Sequence, residues 1–256
     1  MISKLVVQLK NDKDMPISYQ KSSLLHGFIM RNITNEYGDK MHESKLKPFS
    51  QHIEKLGDDS VWVINTLNKE AYENIIKPIM NENILSVYFE NVNEHIKILS
   101  KQLIISNIDS IMEDTIFSLC PRRLTIRFIT PTAFKSNGEY IFYPTIKNIF
   151  GSLIRKYDDV NETTQIYTPE LLIDIEDNIK ITRYNLKSTF FSLEGVKIPA
   201  FIGEITINIS GSQQLVNLVH LLVKFGEYSG VGIKSALGMG CIKIIEREKQ
   251  DARKTV

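Results

Sequence analysis

Residues 2–9 end in an alternation of apolar and polar positions, the two-residue period of a half-buried strand. The period then changes. From about residue 24 to residue 36, Leu24, Leu25, Phe28, Ile29 and Ile33 recur at helical spacing and share one face, with His26 and Met30 at its margin. Ser22 or Ser23 stands where a helix cap belongs, and Tyr37 and Gly38 are expected to end the helix. Residues 41–50 read as a loop leading into a strand, with Pro48 keeping Lys47 extended. Residues 49–55 and 61–67 read as strands paired across Leu56-Gly57-Asp58-Asp59. Residues 68–80 predict a helix with Ala71, Ile75, Ile76 and Ile79 on one side, which Pro78 is expected to kink or end early. Residues 84–90 and 96–105 read as further strands.

Strand, helix, strand, strand, helix, strand is the order of a ferredoxin-like unit. A similar order begins again after about residue 118. Residues 123–129 alternate as a strand through Leu124, Ile126 and Phe128, and residues 144–157 predict a helix with Ile146, Ile149, Phe150, Leu153 and Ile154 inward. Strands follow at 179–191 and 201–209, then a helix at 212–225 and a last strand at 239–245. The pattern therefore predicts an α+β fold of tandem ferredoxin-like (RRM-like, βαββαβ) domains, residues 1–118 and 119–246. The charged, aperiodic residues 247–256 are expected to fray.

One stretch departs from this rhythm. Residues 226–240 hold Gly226, Gly230, Gly232, Gly238 and Gly240, five of the 13 glycines in the chain. Glycine admits positive φ and close backbone approach. A loop of this kind, with Lys234 and Ser235 in its middle, can turn N–H groups and an ammonium toward phosphates. A plain flexible hairpin loop is the competing reading. The glycines follow a helix rather than a strand, so this is no dinucleotide fingerprint, and no Gly-Lys-Ser/Thr run marks a Walker loop.

Composition changes the picture little; charge changes it more. The 256 residues, 43% of them hydrophobic, suit one large or two ordinary folded domains. Residues 5–9 are too short an apolar run for a signal peptide, and no stretch approaches the roughly 20 residues of a membrane helix, so a cytoplasmic protein without membrane association is expected. Net charge is +1, from 31 basic and 30 acidic residues, but the signs are sorted. Residues 121–156 carry Arg122, Arg123, Arg127, Lys135, Lys147, Arg155 and Lys156 against the single acid Glu139, and residues 157–178 carry seven acids and no Lys or Arg. Such segregation favours an anionic partner. Arg122, Arg123, Lys135 and Lys187 are candidates for phosphate contact, and Phe134 and Tyr140 for base stacking, with core packing the alternative for Phe134.

Cys120 and Cys241 sit in apolar surroundings and read as core thiols, and no histidine pair has helical zinc spacing, so no metal centre and no cofactor is expected. His52, His95 and His220 read as structural. His26 and His42 differ, because one lies on the first helix and the other shortly after its end, followed by Lys45 and Lys47. Two imidazoles and an ammonium are a minimal set for metal-free RNA cleavage: one takes a proton from a ribose 2′-hydroxyl, one protonates the leaving oxygen, and the cation meets the phosphate charge. The competing reading is two surface histidines near a turn.

Several blocks carry a resemblance. They are Leu25-His-Gly-Phe-Ile-Met30, Met41-His-Glu-Ser-Lys-Leu-Lys-Pro-Phe49, Phe128-Ile-Thr-Pro-Thr-Ala-Phe-Lys135, Asn185-Leu-Lys-Ser-Thr-Phe190, Lys197-Ile-Pro-Ala-Phe-Ile-Gly-Glu204 and the glycine run Gly230-Val-Gly-Ile-Lys-Ser-Ala-Leu-Gly-Met-Gly240. Together, and in this order from about residue 2 to 246, they resemble the CRISPR repeat-processing endoribonucleases of the RAMP superfamily (the "Cas six" family), most of all the branch serving type III-A systems. The resemblance implies metal-independent cleavage of CRISPR precursor RNA once per repeat, leaving a 2′,3′-cyclic phosphate and a 5′-hydroxyl. It implies a catalytic histidine at His42 with Lys47 nearby, and an RNA-binding glycine loop placing Gly230, Gly232, Lys234, Ser235, Gly238 and Gly240 near phosphate. Some members carry a tyrosine near the position of Met30; its absence makes His26 the natural partner of His42 and leaves the acid and base roles open. The implied partners are CRISPR repeat RNA and, transiently, a type III effector complex, with the chain a monomer or homodimer. A non-catalytic RAMP subunit that binds crRNA would share the fold and the glycine loop. A small-molecule enzyme on the same fold lacks any cofactor motif.

Overall fold

The computed structural model describes residues 1–12, 15–57, 59–89, 93–161 and 165–245. The charged tail and Asp58 of the first hairpin turn lie outside the described residues. Strand β1 (Ile2–Asn11) buries Leu5, Val7 and Leu9 on one face in the core of the first half, while Ile2, of opposite parity, is buried in the core of the second. It lies at the centre of a five-stranded antiparallel sheet with β2 (Phe49–Leu56), β3 (Asp59–Thr66), β4 (Ser86–Phe89) and β5 (Glu94–Ser106), in the order β2-β3-β1-β5-β4. The fourth strand of the ferredoxin-like unit is β5. It pairs with β1 from Ile2↔Ser106 to Asn11↔Ile96, whereas the four-residue β4 is an added edge strand hairpinned to β5.

Helix α1 (Ser22–Asn32) buries Leu25, Phe28 and Ile29 in the core of this sheet. Its predicted serine cap is corrected. The preceding turn is capped by Ser18, and Ser22 is buried with its Oγ accepting from Ile53 N on β2 at 3.2 Å. The expected loop after α1 is corrected too. Ile33 turns extended, and a second helix, α2 (Asn35–Glu43), begins with Thr34 Oγ1 accepting from Tyr37 N and buries Tyr37 and Met41. Gly38 sits inside this helix; its cost, about 1 kcal/mol, is outweighed by the cap and the two buried side chains. His42 therefore belongs to the last turn of α2. Helix α3 (Lys69–Ala71), capped by Asn68, runs through a π-helical turn (Tyr72–Ile76) into α4 (Lys77–Ile79). Pro78, which has no N–H to give, follows that widened turn and does not end the helix early.

The second half repeats the plan. Strands β6 (Arg123–Thr132), β9 (Ile179–Leu193), β10 (Val196–Ile209) and β11 (Ile242–Ile244) form an antiparallel sheet in the order β11-β6-β10-β9, and β7 (Phe134–Ser136) and β8 (Glu139–Ile141) form a small hairpin. Helices α6 (Ile146–Val160) and α8 (Gln213–Ser229), capped by Thr145 and Ser212, pack Ile149, Phe150, Leu153, Val216 and Val219 into its core. Two helices that hydrophobic spacing leaves unannounced complete it. They are α5 (Ile108–Ile116), capped by Asn107, and α7 (Pro169–Asn178), capped by Thr168, which takes up much of the acidic stretch. The passage between the halves is held by a polar stripe on α8. Gln213 Nε2 donates to Cys120 O at 3.0 Å, Asn217 Nδ2 to Ile116 O and Ser118 O at 2.9 and 3.0 Å, and His220 Nε2 to Pro121 O at 2.8 Å. His220 is thus structural. Among the described residues, no helix is long and apolar enough to cross a membrane.

The halves meet through β2 on one side and β11, the end of α8 and the glycine loop on the other. Lys243 Nζ donates to Glu54 Oε2 at 2.6 Å, Ser50 Oγ to Tyr228 O at 2.5 Å, and Cys241 Sγ lies 3.3 Å from His52 Nε2. Gly238, at φ 111°, closes onto Ser22 so tightly that a Cβ there would stand 2.2 Å from Ser22 Cβ.

A Gly238→Ala substitution is expected to cost at least about 2 kcal/mol of stability, from strain plus overpacking, measured as a fall in the urea midpoint. An unchanged midpoint would mean the loop does not seat on α1. His52 gives a second expectation. Burial, opposed by Glu54 and reinforced by Lys243 and Lys4, pushes its pKa down to about 4. Protonation therefore favours the unfolded chain, so the stability present above about pH 6.5 is lost as pH falls toward 4, by about 3 kcal/mol in all. Thermal melts across that window should show the decline, and it should be shallower in His52→Gln.

Candidate active site where the two halves meet

His26 projects from α1 with its ring stacked on Phe49 of β2, centroids 5.9 Å apart and planes 1° from parallel. Its Nδ1 lies 3.1 Å from the carbonyl oxygen of Ala236, in the glycine loop. A carbonyl only accepts, so Nδ1 carries the hydrogen and the neutral ring keeps its lone pair on Nε2. Burial lowers the pKa of His26, the Ala236 hydrogen bond opposes this, and the charges of Lys47 and His42 lower it further. His42 and Lys47 are thus within electrostatic reach of the ring. His42 is exposed on the last turn of α2, and Lys45 is exposed just beyond it.

Lys47 is more committed than its sequence context suggests. Its ammonium donates to the carbonyls of Met41 and of Ser44, the latter at 2.8 Å, and so ties off the C-terminal end of α2 where a cation is favoured. Burial lowers its pKa. Two of its three N–H groups are used, and the third has no partner among the described residues.

Ala236 is held from a second direction. Gln51 Nε2 donates to its carbonyl at 3.2 Å and to Ser22 O at 2.8 Å, while Gln51 Oε1 accepts from Trp62 Nε1 at 2.9 Å. Both N–H groups of Gln51 are therefore used, and the orientation of its amide is fixed by the indole.

The glycine amides of the loop are committed rather than free, while the amides of Lys234, Ser235 and Ala236 donate no hydrogen bond among the described residues. Gly230 N donates to Gly226 O, Val231 N to Gly240 O, Gly232 N to Ser152 Oγ, Ile233 N to Ala133 O and Gly240 N to Pro131 O, at 2.8 to 3.0 Å. Gly238 N reaches Ser235 O at 3.3 Å. The positive φ angles serve to fold the loop back on itself and on the protein. Ser235 is buried, its hydroxyl held by Lys156 Nζ at 3.0 Å. Lys234, left-handed at φ 57° and partly exposed, accepts from Leu237 N and Met239 N through its carbonyl, and its side chain forms no hydrogen bond or ion pair among the described residues.

The remaining basic candidates are spread out. Arg122 donates to Ile209 O and Gly211 O at 3.2 and 3.0 Å. Arg123 opens β6, whose ten residues put it roughly 30 Å from the end that meets the loop. Neither is brought to His26. Lys135 lies over the Tyr140 ring at 5.7 Å, on the hairpin next to Ala133, which the loop touches. Lys187 borders a hollow of about 240 Å³ on β9 and β10 with Arg127, Asn185, Ile202 and Gly203. Phe134 is core, and Lys156, counted in the sequence as part of a basic stretch, is buried. Among the described residues, no cluster of three or more His, Cys, Asp or Glu could hold a metal ion.

Residues 126–242 match the family described as CRISPR-associated endoribonuclease Cas6. A CRISPR-associated endoribonuclease Cas6 from Streptococcus thermophilus is 31% identical over 229 residues, covering 87% of this chain and 90% of that protein. One from Mycobacterium tuberculosis is 29% identical over 223 residues, covering 86% and 70%. Among solved structures, a Cas6 product complex superposes with a TM-score of 0.77 at 20% identity, covering 96% of this chain and all of that one. A Thermus thermophilus Cas6 gives 0.72 at 21%, covering 96% and 98%. These two share its tandem ferredoxin-like fold. With nearly a third of its residues identical to the streptococcal protein along almost the whole of both chains, this chain belongs to the Cas6 family of CRISPR-associated endoribonucleases.

Proposed function

We propose that this chain matures CRISPR RNA by cutting the precursor within its repeats, and that His26 is the general base. The observation that carries this is the hydrogen bond from Nδ1 to Ala236 O, which leaves Nε2 as the free basic nitrogen of a ring that burial keeps neutral. In the reaction, Nε2 takes the proton of the ribose 2′-hydroxyl as O2′ bonds to phosphorus. The bond from phosphorus to O5′ breaks, and His42 protonates that oxygen. The products are a 2′,3′-cyclic phosphate and a 5′-hydroxyl. The remaining N–H of Lys47 meets the phosphate charge that builds in between.

The sugar–phosphate strand runs past Lys234 and Lys45, with Lys135 and Lys187 flanking it on the second half. Arg122 and Arg123 serve a more distant part of the RNA. The enzyme acts in the cytoplasm as a monomer or homodimer and passes its product to a type III effector complex. Each role in the proton transfers is filled by a side chain, so the step itself calls for no metal.

His26→Ala and His42→Ala are each expected to slow single-turnover cleavage of a labelled repeat by about 10²–10⁴-fold while binding persists, and undiminished cleavage by either would remove that residue from the chemistry. Cleavage should continue in EDTA; a requirement for Mg²⁺ would defeat the mechanism. In the wild type, the rate should fall on the acid side with a midpoint below 6.5, the ordinary histidine value, since His26 must be neutral to act. Lys234→Ala should weaken RNA binding and reduce the slope of log K against log salt by about one.

A further inference from the structure

Lys156 lies on α6, in the second half, and is buried. Its ammonium donates to Ser229 O at 3.0 Å, to Gly230 O at 3.1 Å and to Ser235 Oγ at 3.0 Å. Those three contacts use all three of its hydrogens. Among the described residues, no carboxylate pairs with it; the charged side chain bearing on it is that of Arg155, of the same sign. Burial without a counter-charge penalises the ammonium and pulls its pKa down to about 7, and a methionine of similar length would fill the same space without that penalty. What lysine adds is three directed donors, and each falls on the glycine loop or its root. Two tie the final carbonyls of α8, where the helix dipole favours a cation. The third fixes Ser235, whose next residue is Ala236.

We infer that Lys156 is a positioning residue for cleavage: it clamps the root of the glycine loop to Ser235 so that the adjoining Ala236 carbonyl stays aimed at Nδ1 of His26. It touches no RNA and reaches the base only through the loop. This rests on the reading of His26 as general base. The groups that face His26 are the Ala236 carbonyl, Phe49, His42 and Lys47; of the forces on its protonation, the carbonyl contact alone favours the charged ring. When the clamp is lost and the carbonyl swings away, the ring protonates less readily and Nε2 loses its fixed direction.

The test is the pH–rate profile of single-turnover cleavage of a labelled repeat RNA by Lys156→Met, alongside wild type, Ser235→Ala and His26→Ala. Lys156→Met is expected to bind the RNA as the wild type does, to cleave about ten- to a hundredfold more slowly, and to have its acid limb moved to lower pH. Ser235→Ala, which removes a single partner, should move the limb the same way by less, and it carries the test if Lys156→Met does not fold. A folded variant with an unmoved limb, whether slowed or not, would reduce Lys156 to a structural residue and overturn the inference. If instead His26→Ala cleaves normally, the reading of His26 itself fails, whatever the lysine variant does.

Discussion

The carbonyl of Ala236 accepts from His26 on α1 and from Gln51 on β2, and the rest of the site depends on that convergence. The carbonyl belongs to one ferredoxin-like half, and both donors belong to the other. The contact selects the tautomer of the imidazole, sets its direction and joins the halves at one point. Neither half by itself supplies both His26 and the carbonyl that orients it. This explains why the glycines of the loop commit their amides inward. A loop whose task is to aim one carbonyl must be stiff, and stiffness comes from committing its N–H groups to Ala133, Pro131, Ser152 and its own limbs.

The surface between the halves carries polar pairs beside its apolar contacts, in which Ile2 and Leu67 join the second core and Ala236 the first. Lys243 pairs with Glu54, His52 faces Cys241, and Ser50 reaches Tyr228. Burial drives His52 down to about 4 and Cys241 up to about 12, so both meet as neutral groups at neutral pH. Directional bonds of this kind add little net stability, but they admit one relative orientation. A reaction that needs an imidazole from one half oriented by a carbonyl from the other gains from that restriction.

The three candidate catalytic side chains differ in how they are held. His26 is half-buried and tied, Lys47 is tied by two carbonyls at the end of α2, and His42 is exposed. Such a gradient suits a reaction in which the base must be neutral and aimed before the RNA arrives, while the acid meets a leaving oxygen on the solvent side. The glycine-rich stretch is likewise divided: its backbone holds the Ala236 carbonyl against His26, and the Lys234 side chain at its turn has no partner among the described residues.

Sequence by itself determined what short-range physics controls. The alternation of β1 and β6, the apolar stripes of α1, α6 and α8, and the Asn68 and Ser212 caps specify the repeated βαββαβ order without reference to distant residues. Helices α2, α5 and α7 were missed because their apolar stripes are short, although Thr34, Asn107 and Thr168 were readable cap signals. His26, His42 and Lys47 could be singled out from residue type and nearness along the chain. Their arrangement could not, because the group that orients His26 is 210 residues away, and no periodicity encodes a contact at that separation. Lys156 and Ser235 read as surface residues for the same reason: whether a lysine meets water or the end of a helix is decided by which elements pack over it, and only the tertiary structure decides that.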